Sequence, residues 1–560
     1  MCAFKLNRRQ FLQTSVGTLM GASFALQASV KGMSQTIPLD GASMDPHLAL
    51  AWAHQFVDHD MRAWGMCSRI CGVLDRHHLP ELTSILGAEG VVQTQMNDGD
   101  DVWVTIAAQA PALLRWLAKG PDLFHDHIWG APWFNPKGLH FPDIQASSHV
   151  LFRATDGLTA SVGPVLDATG PRVLVIDHGF PLQTLRQSGV VHMYKRSPMA
   201  TMGQRPDMAQ SHGAQVIGLL LEGHDGLGPT PRIPIYLYEL PDEILFSLPY
   251  AALWPEVIDA IVWALGSCPP GSRLLVMLSL VSTDADRHSQ SFISRSARVL
   301  CAYAQSLGVE LTWVMAAGNN HADQQNIQIH VQAAQAVTLN WHLPAQNFRP
   351  SFLECWFDRD QGHVKVEVKP PAGSWSAQLG PMSMAQRSHA ASDRVQMVMR
   401  LPPTAAWSSH QPLASSGRWG LRMTFERGGS LSAHLSMMTA SKVGMWRQAH
   451  LDGESVNSDD GLPTLSGLIP WMAQVVIAQA LNPSVQNRWV EAPSDDQLSA
   501  YSGRWPLVAD AGWRRVGVRV DESHHRRGVH AWSRHGHRIQ RASGTSMAVP
   551  LVTRQLLGLN

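Results

Sequence analysis

Four positions carry side chains whose types and settings could do chemistry together: Asp177, His212, Asn319 and Ser546. Asp177 ends the apolar run Val173-Leu174-Val175-Ile176 and is followed by His178-Gly179. Such a run reads as a strand buried on both faces of a parallel sheet, and open α/β sheets place reactive groups at the C-terminal ends of such strands. His212 opens the apolar, small-residue stretch 213–220, so a helix beginning there can aim its ring at a neighbouring strand end. Asn319 closes Ala316-Ala317-Gly318-Asn319 after a strand-like run. Ser546 lies in Ser543-Gly544-Thr545-Ser546-Met547-Ala548-Val549-Pro550. There a turn lifts the hydroxyl clear of the backbone, and the helix N-terminus behind it favours developing negative charge. Taken singly, each of Asp177, His212 and Ser546 also suits a plain capping role.

The elements that must position these residues alternate. After Asp177 the spacing predicts strands over 233–238, 274–280 and 310–315, with helices over 254–265 and 291–305 between them. That is the rhythm of βαβ units and a parallel sheet. Between about 336 and 470 the rhythm fails. Short runs such as 364–368, 395–399 and 421–425, split by Pro, Gly and Ser clusters, predict an antiparallel β-sandwich. Residues 471–481 read as a helix, 515–520 as a strand, and a terminal helix follows Ser546.

Upstream, 35–163 reads as a mixed α+β region, with helical spacing over 48–74, a strand over 102–106 and a helix over 111–118. Cys67 and Cys71 fall four apart on the first of these helices. They read as buried helix cysteines, with a metal site shared with His77 and His78 as the alternative. His125-Asp126-His127 reads as surface polar residues of a loop. His524, His525, His530, His535 and His537 gather around Trp532 among several arginines, as in a solvated basic loop rather than a zinc or nickel site.

In order and in setting, the four positions resemble those of the subtilisin-like serine proteases. Val-Ile-Asp-x-Gly surrounds Asp177, His-Gly-x-x-Val-x-Gly follows His212, Ala-Ala-Gly-Asn ends at Asn319, and Gly-Thr-Ser-Met-Ala-x-Pro contains Ser546. Ser279-Leu280 resembles the Ser-Leu-Gly edge strand that lines the substrate cleft in that family. The resemblance implies a peptidase in which Ser546 attacks, His212 moves the proton and Asp177 orients the imidazole. Asn319 and the Ser546 N–H would hold the oxyanion, and Ser279, Leu280, Val281, Ala316, Ala317 and Gly318 would line the cleft. It also implies a protein or peptide substrate and no catalytic cofactor or metal, and it allows a structural calcium that no residue here reveals.

The resemblance covers roughly 172–335 and 470–560, and it departs from the family pattern in four places. Asn319 and Ser546 are about 227 residues apart, so the β-rich segment reads as an insertion, tolerable because closing a long surface loop costs little extra. Val281 stands where the edge strand usually has Gly, which predicts a narrower or shifted cleft. His212-Gly213-Ala214-Gln215 replaces the usual His-Gly-Thr-His, and Val520-Asp521-Glu522 replaces the usual Ala-Pro-Gly. The resulting expectation is an α/β protein, a subtilisin-like parallel sheet flanked by helices. It comprises a signal (1–29), an N-terminal α+β region (30–165), a catalytic part (166–335), a β-rich sandwich-like insertion (336–470) and a second catalytic part (471–560). Position alone suggests that 30–165 is a pro-region and that the insertion binds a partner.

The bulk of the chain sets outer limits. Its 560 residues allow a large core. A formal net charge of zero points away from nucleic acid and from anionic membrane surfaces. Asn7-Arg8-Arg9-Gln10-Phe11-Leu12 resembles a twin-arginine export motif, followed by the uncharged stretch 14–29. The expectation is therefore a periplasmic or secreted protein, exported folded, with no transmembrane span once the signal is gone. A lipase or esterase reading is weaker, because no Gly-x-Ser-x-Gly surrounds Ser546. So is a binding or scaffold protein with a silent cleft.

Overall fold

A computed structural model of the chain describes residues 36–38, 66–109, 112, 123–134, 169–182, 184–185, 191–197, 212–223, 230–240, 254–279, 292–319, 326–334, 336–345, 347, 351–389, 393–405, 413–436, 450–453, 474–502, 514–520, 529–532, 539–542 and 544–559. The proposed signal, Leu280, Val281 and the histidines 524, 525, 535 and 537 lie outside these. Among the described residues, no helix is long and apolar enough to cross a membrane.

An eight-stranded sheet organises the functional half. Its strands are β1 (Pro171–Asp177), β2 (Val191–Arg196), β3 (Ile235–Glu239), β4 (Arg273–Leu278), β5 (Glu310–Ala316), β6 (Val475–Ala480), β7 (Trp489–Glu491) and β8 (Arg514–Val518). Their order is β7-β8-β6-β5-β4-β1-β3-β2, parallel throughout except for the edge pair β7/β8. The central strands are apolar without alternation because both faces are covered. On one face Val173, Val175, Leu275, Met277 and Val314 pack with helices α1 (His212–Glu222) and α4 (Thr545–Leu556). On the other, Leu174, Ile176, Val276, Trp313 and Met315 pack with α2 (Trp254–Leu265) and α3 (Phe292–Ser306). Register puts Ile176 and Met315 both opposite Leu278, so β1, β4 and β5 end at one level. Whatever follows those ends shares one edge of the sheet.

Two corrections concern strands read as helices. Residues 475–480 form β6 beside β5, not a helix, and Met66–Asp75 is a strand where helical spacing was expected over 48–74. Cys67 and Cys71 therefore sit on a strand. Side chains 69–74 and 475–480 are buried continuously, and two covered faces erase the period that separates strand from helix. Cys71 is buried, which pushes its thiol pKa well up and leaves it inert, while His77 pairs with Asp75. Of the helix expected over 111–118, only Ala112 is described.

The Met66–Asp75 strand belongs to a four-stranded antiparallel sheet with Gly90–Asp98, Asp101–Gln109 and Phe124–Phe134. A third correction falls here. His125-Asp126-His127 lies on that last strand rather than in a loop, and Asp126 is buried between Arg295 of α3 and Arg387, 2.6 Å away. Neither arginine is near it in sequence, so only the fold could reveal the pairing. Arg69 of the same sheet is buried against Glu256 at 3.0 Å and against Asp259, both on α2. Burial acts to pull the guanidinium pKa down, but the two carboxylates outweigh it and hold Arg69 firmly charged.

The β-rich segment is a pair of sheets. A six-stranded sheet includes Asn326–Val331, Ser351–Asp358, Ser383–His389, Arg394–Leu401 and Gly429–Ser436, with Thr36–Pro38 at its edge. It starts ten residues before the expected boundary and takes a strand from the N-terminal region. A four-stranded sheet (Ala336–Leu343, Val364–Lys369, Gly417–Phe425, His450–Gly453) covers one face. Leu353, Cys355 and Phe357 point into the shared core with Trp341, Leu421 and Phe425. Phe352 and Val398 point the other way, into a core with Ile70, Leu82 and Ile106 of the N-terminal sheet. That alternation is the period-two pattern of a strand between two layers.

Candidate active site

The candidate site is built where β1, β4 and β5 end. Asp177 is the last residue of β1 and fully buried. His212 is the first residue of α1, and its Nδ1 lies 2.8 and 2.9 Å from the two Asp177 oxygens. A buried carboxylate gripping Nδ1 fixes the tautomer that leaves Nε2 free to accept a proton. Asp177 Oδ1 also accepts the His178 backbone N–H at 2.8 Å, which pins the carboxylate plane.

The start of α1 is held against the end of β1 by one close backbone approach. The Gly213 N–H donates to the His178 carbonyl at 2.9 Å, and a Cβ on Gly213 would stand 2.4 Å from that oxygen. Only glycine fits there. The change Gly213→Ala is expected to push His212 off Asp177 and lower kcat/KM by about 100-fold, since roughly 1 Å of misplacement can cost that much. Steady-state kinetics on a substrate that the parent turns over would check it; a parent-like rate would show that the helix start adapts.

Burial acts to lower the His212 pKa, and the Asp177 charge and hydrogen bond outweigh it, so the net shift is upward from 6.5. A general base must be neutral to work. The acid limb of kcat/KM is therefore expected above pH 6.5, and Asp177→Asn is expected to move it down, read from full pH–rate profiles. A limb at or below 6.5 in the parent would contradict this electrostatic reading.

Ser546 sits in the first turn of α4. Pro550, four residues on, has no N–H to give the Ser546 carbonyl. The Ser279 hydroxyl, just past β4, donates to that carbonyl at 3.3 Å, and the Ser546 hydroxyl donates to the Ser279 carbonyl at 2.8 Å. This reciprocal pair ties the serine turn to the sheet edge. For Ser546 to act as a nucleophile with His212 as its base, the hydroxyl must turn from Ser279 toward His212 Nε2; such hydrogen bonds commonly tighten only when substrate is bound.

Asn319 follows β5 and is exposed. Its Oδ1 accepts the Thr545 N–H at 2.8 Å and the Thr545 hydroxyl at 3.1 Å, and the Thr545 oxygen accepts the Gly318 N–H at 2.9 Å. With its oxygen held in this way, the amide directs Nδ2 as its donor. Gly544, at φ 117°, leaves room for that group, since a Cβ there would lie 3.0 Å from Nδ2. The Ser546 N–H lies in the first helical turn, where no intrahelical acceptor exists. The two donors are those an oxyanion would need.

Of the residues expected to line a cleft, Ser279 is at the site, while Leu280 and Val281 lie outside the described residues. Ala316 and Ala317 are covered, with the Ala317 N–H on the Ala478 carbonyl at 2.9 Å, and Gly318 is buried against Thr545. These three shape the turn that presents Asn319 and offer no open side-chain surface. Sequence reading missed Thr545 as the link between Asn319 and α4, although the Gly-Thr-Ser triplet carried the signal. It also missed Arg554, which donates to the Leu220 carbonyl at 2.8 Å and so ties α4 to the C-terminal end of α1.

No protein-family model matches the chain, and no curated protein matches it. Several solved structures show distant likeness, three of them as follows. The CspB protease of Clostridium perfringens is 16% identical, over 69% of this chain and 81% of that one, with a TM-score of 0.44. A cold-adapted subtilisin-like serine proteinase is 17% identical, over 31% of this chain and 55% of its own length, with a TM-score of 0.18. The propeptide form of Bacillus licheniformis lipase BlEst2 is 8% identical, over 50% and 76%, with a TM-score of 0.19. The structural neighbours thus include a protease and a subtilisin-like serine proteinase, at a distance that leaves the chemistry of this site to its own side-chain geometry.

Proposed function

We propose that the chain is an exported serine endopeptidase that cuts peptide bonds through Asp177, His212 and Ser546. The observation that carries this reading is the grip of both Asp177 oxygens on His212 Nδ1, at the same sheet edge that carries Ser546 and Asn319. Ser546 attacks the scissile carbonyl as His212 Nε2 takes its proton, and the imidazolium is stabilised by Asp177. The tetrahedral oxyanion is held by Asn319 Nδ2 and the Ser546 N–H, and His212 then protonates the leaving amine. Water repeats the sequence to release the acyl group.

Export rests on Arg8-Arg9 and the uncharged stretch after them. A periplasmic or secreted location, a peptide substrate, a structural calcium and a partner for the β-sandwich belong to the same proposal. The test is a fluorophosphonate probe on the purified protein, with the labelled peptide mapped by mass spectrometry. Label at Ser546 that disappears in His212→Ala is the expected result. An unlabelled protein would favour a binding role for the β-sandwich instead.

A further inference from the structure

The proposed triad draws on Asp177 and His212, and their buried neighbour His178 is not a member of it. Asp177, His178 and His212 each offer one ligand atom, and the three atoms lie within 4.8 Å of one another. The cluster is no surface accident: Asp177 is 0% exposed and His178 only 7%. The bond from the Gly213 N–H to the His178 carbonyl locks the two histidine-bearing segments together. Their rings are parallel within 3°, with centroids 6.0 Å apart.

We propose that these three side chains form a binding site for zinc, and that its occupancy switches the catalytic pair off. The switching rests on the peptidase reading of the same residues; the binding does not. One carboxylate oxygen and two imidazole nitrogens make a three-ligand set that leaves a fourth tetrahedral position for water. With zinc–ligand distances of about 2.0–2.2 Å, donors around one ion stand roughly 3.3 Å apart, so side-chain rotation must open the Asp177–His212 pair from 2.8 Å and bring His178 to the same spacing from within 4.8 Å. Calcium and magnesium, which favour oxygen ligands, fit poorly. Zinc on His212 Nδ1 replaces the hydrogen bond that Nδ1–H donates to Asp177 and leaves the imidazole proton on Nε2, so Ser546 loses its base.

The test begins with untagged Ser546→Ala protein, titrated with Zn²⁺ against a competing chromophoric chelator. A site whose affinity falls at least tenfold when His178→Gln is added is expected. Histidines elsewhere in the chain contribute equally to both proteins and cancel in that comparison. With the active protein, Zn²⁺ is expected to inhibit peptide hydrolysis, chelator to restore it, and Ca²⁺ to leave it alone. His178→Gln is expected to raise the half-inhibiting Zn²⁺ concentration at least tenfold. Zinc affinity indifferent to His178 overturns the proposal. If His178→Gln fails to fold, Co²⁺ on the Ser546→Ala protein decides. An intense tetrahedral visible band, lost in His212→Ala, supports the site, and its absence overturns it. Zinc held through His178 by a chain that takes no fluorophosphonate and cleaves nothing would sink the peptidase reading alone. A labelled, active enzyme whose zinc response ignores His178 would sink the metal site alone.

Discussion

Ser546→Ala is expected to lower kcat/KM by about 10⁴- to 10⁶-fold, His212→Ala by a similar factor, and the double variant no further than the worse single one. The reason is mutual dependence. A hydroxyl without a base is a weak nucleophile at neutral pH, and a base without a nucleophile has nothing to deprotonate. The fold should survive. Ser546 is partly exposed, and its side chain loses one hydrogen bond, to the Ser279 carbonyl, worth about 1 kcal/mol. Kinetics of the two single variants and the double, with thermal melts of each, read both parts. Losses that multiply in the double variant would mean that the two residues act separately and would count against a shared mechanism.

Arg69→Met is expected to be the most damaging change away from the site, lowering stability by about 3–5 kcal/mol. Glu256 and Asp259 are 0% and 3% exposed, and Arg69 is the cation between them. The Tyr238 hydroxyl reaches Glu256 at 2.8 Å and Thr105 reaches Asp259, but neutral donors cannot replace a charge. Removing the arginine leaves two buried carboxylates facing each other, a loss large against a net stability of about 5–15 kcal/mol. Neutralising the partners should rescue it. Arg69→Met with Glu256→Gln and Asp259→Asn is expected to recover most of the loss, since a buried ion pair and a neutral replacement of similar volume are often close in energy. Denaturant unfolding of the two proteins gives the comparison. A single variant as stable as the parent would show that apolar packing, not charge, joins the N-terminal sheet to α2. The same contact bears on the proposed pro-region, because this sheet also shares a core with the β-sandwich.

The sequence by itself determined the identity and order of Asp177, His212, Asn319 and Ser546, and the strand–helix rhythm that brings three of them to strand ends or helix starts. Those features are local. A β-branched run, a small-residue helix start and a Gly-Thr-Ser turn each carry their own physical reason. What only the tertiary structure decided depends on partners far away in the chain. Met66–Asp75 and Val475–Ala480 became strands because neighbours covered both of their faces, which removed the period that would have marked them. Asp126 became a buried ion-pair partner because Arg295 and Arg387 converge on it from two other layers. Thr545 became the link to Asn319, and His178 came to lie parallel to His212, only once β1, β4 and β5 ended at one level. Side-chain type can be read one residue at a time, whereas proximity is set by the register of strands that lie far apart in the chain.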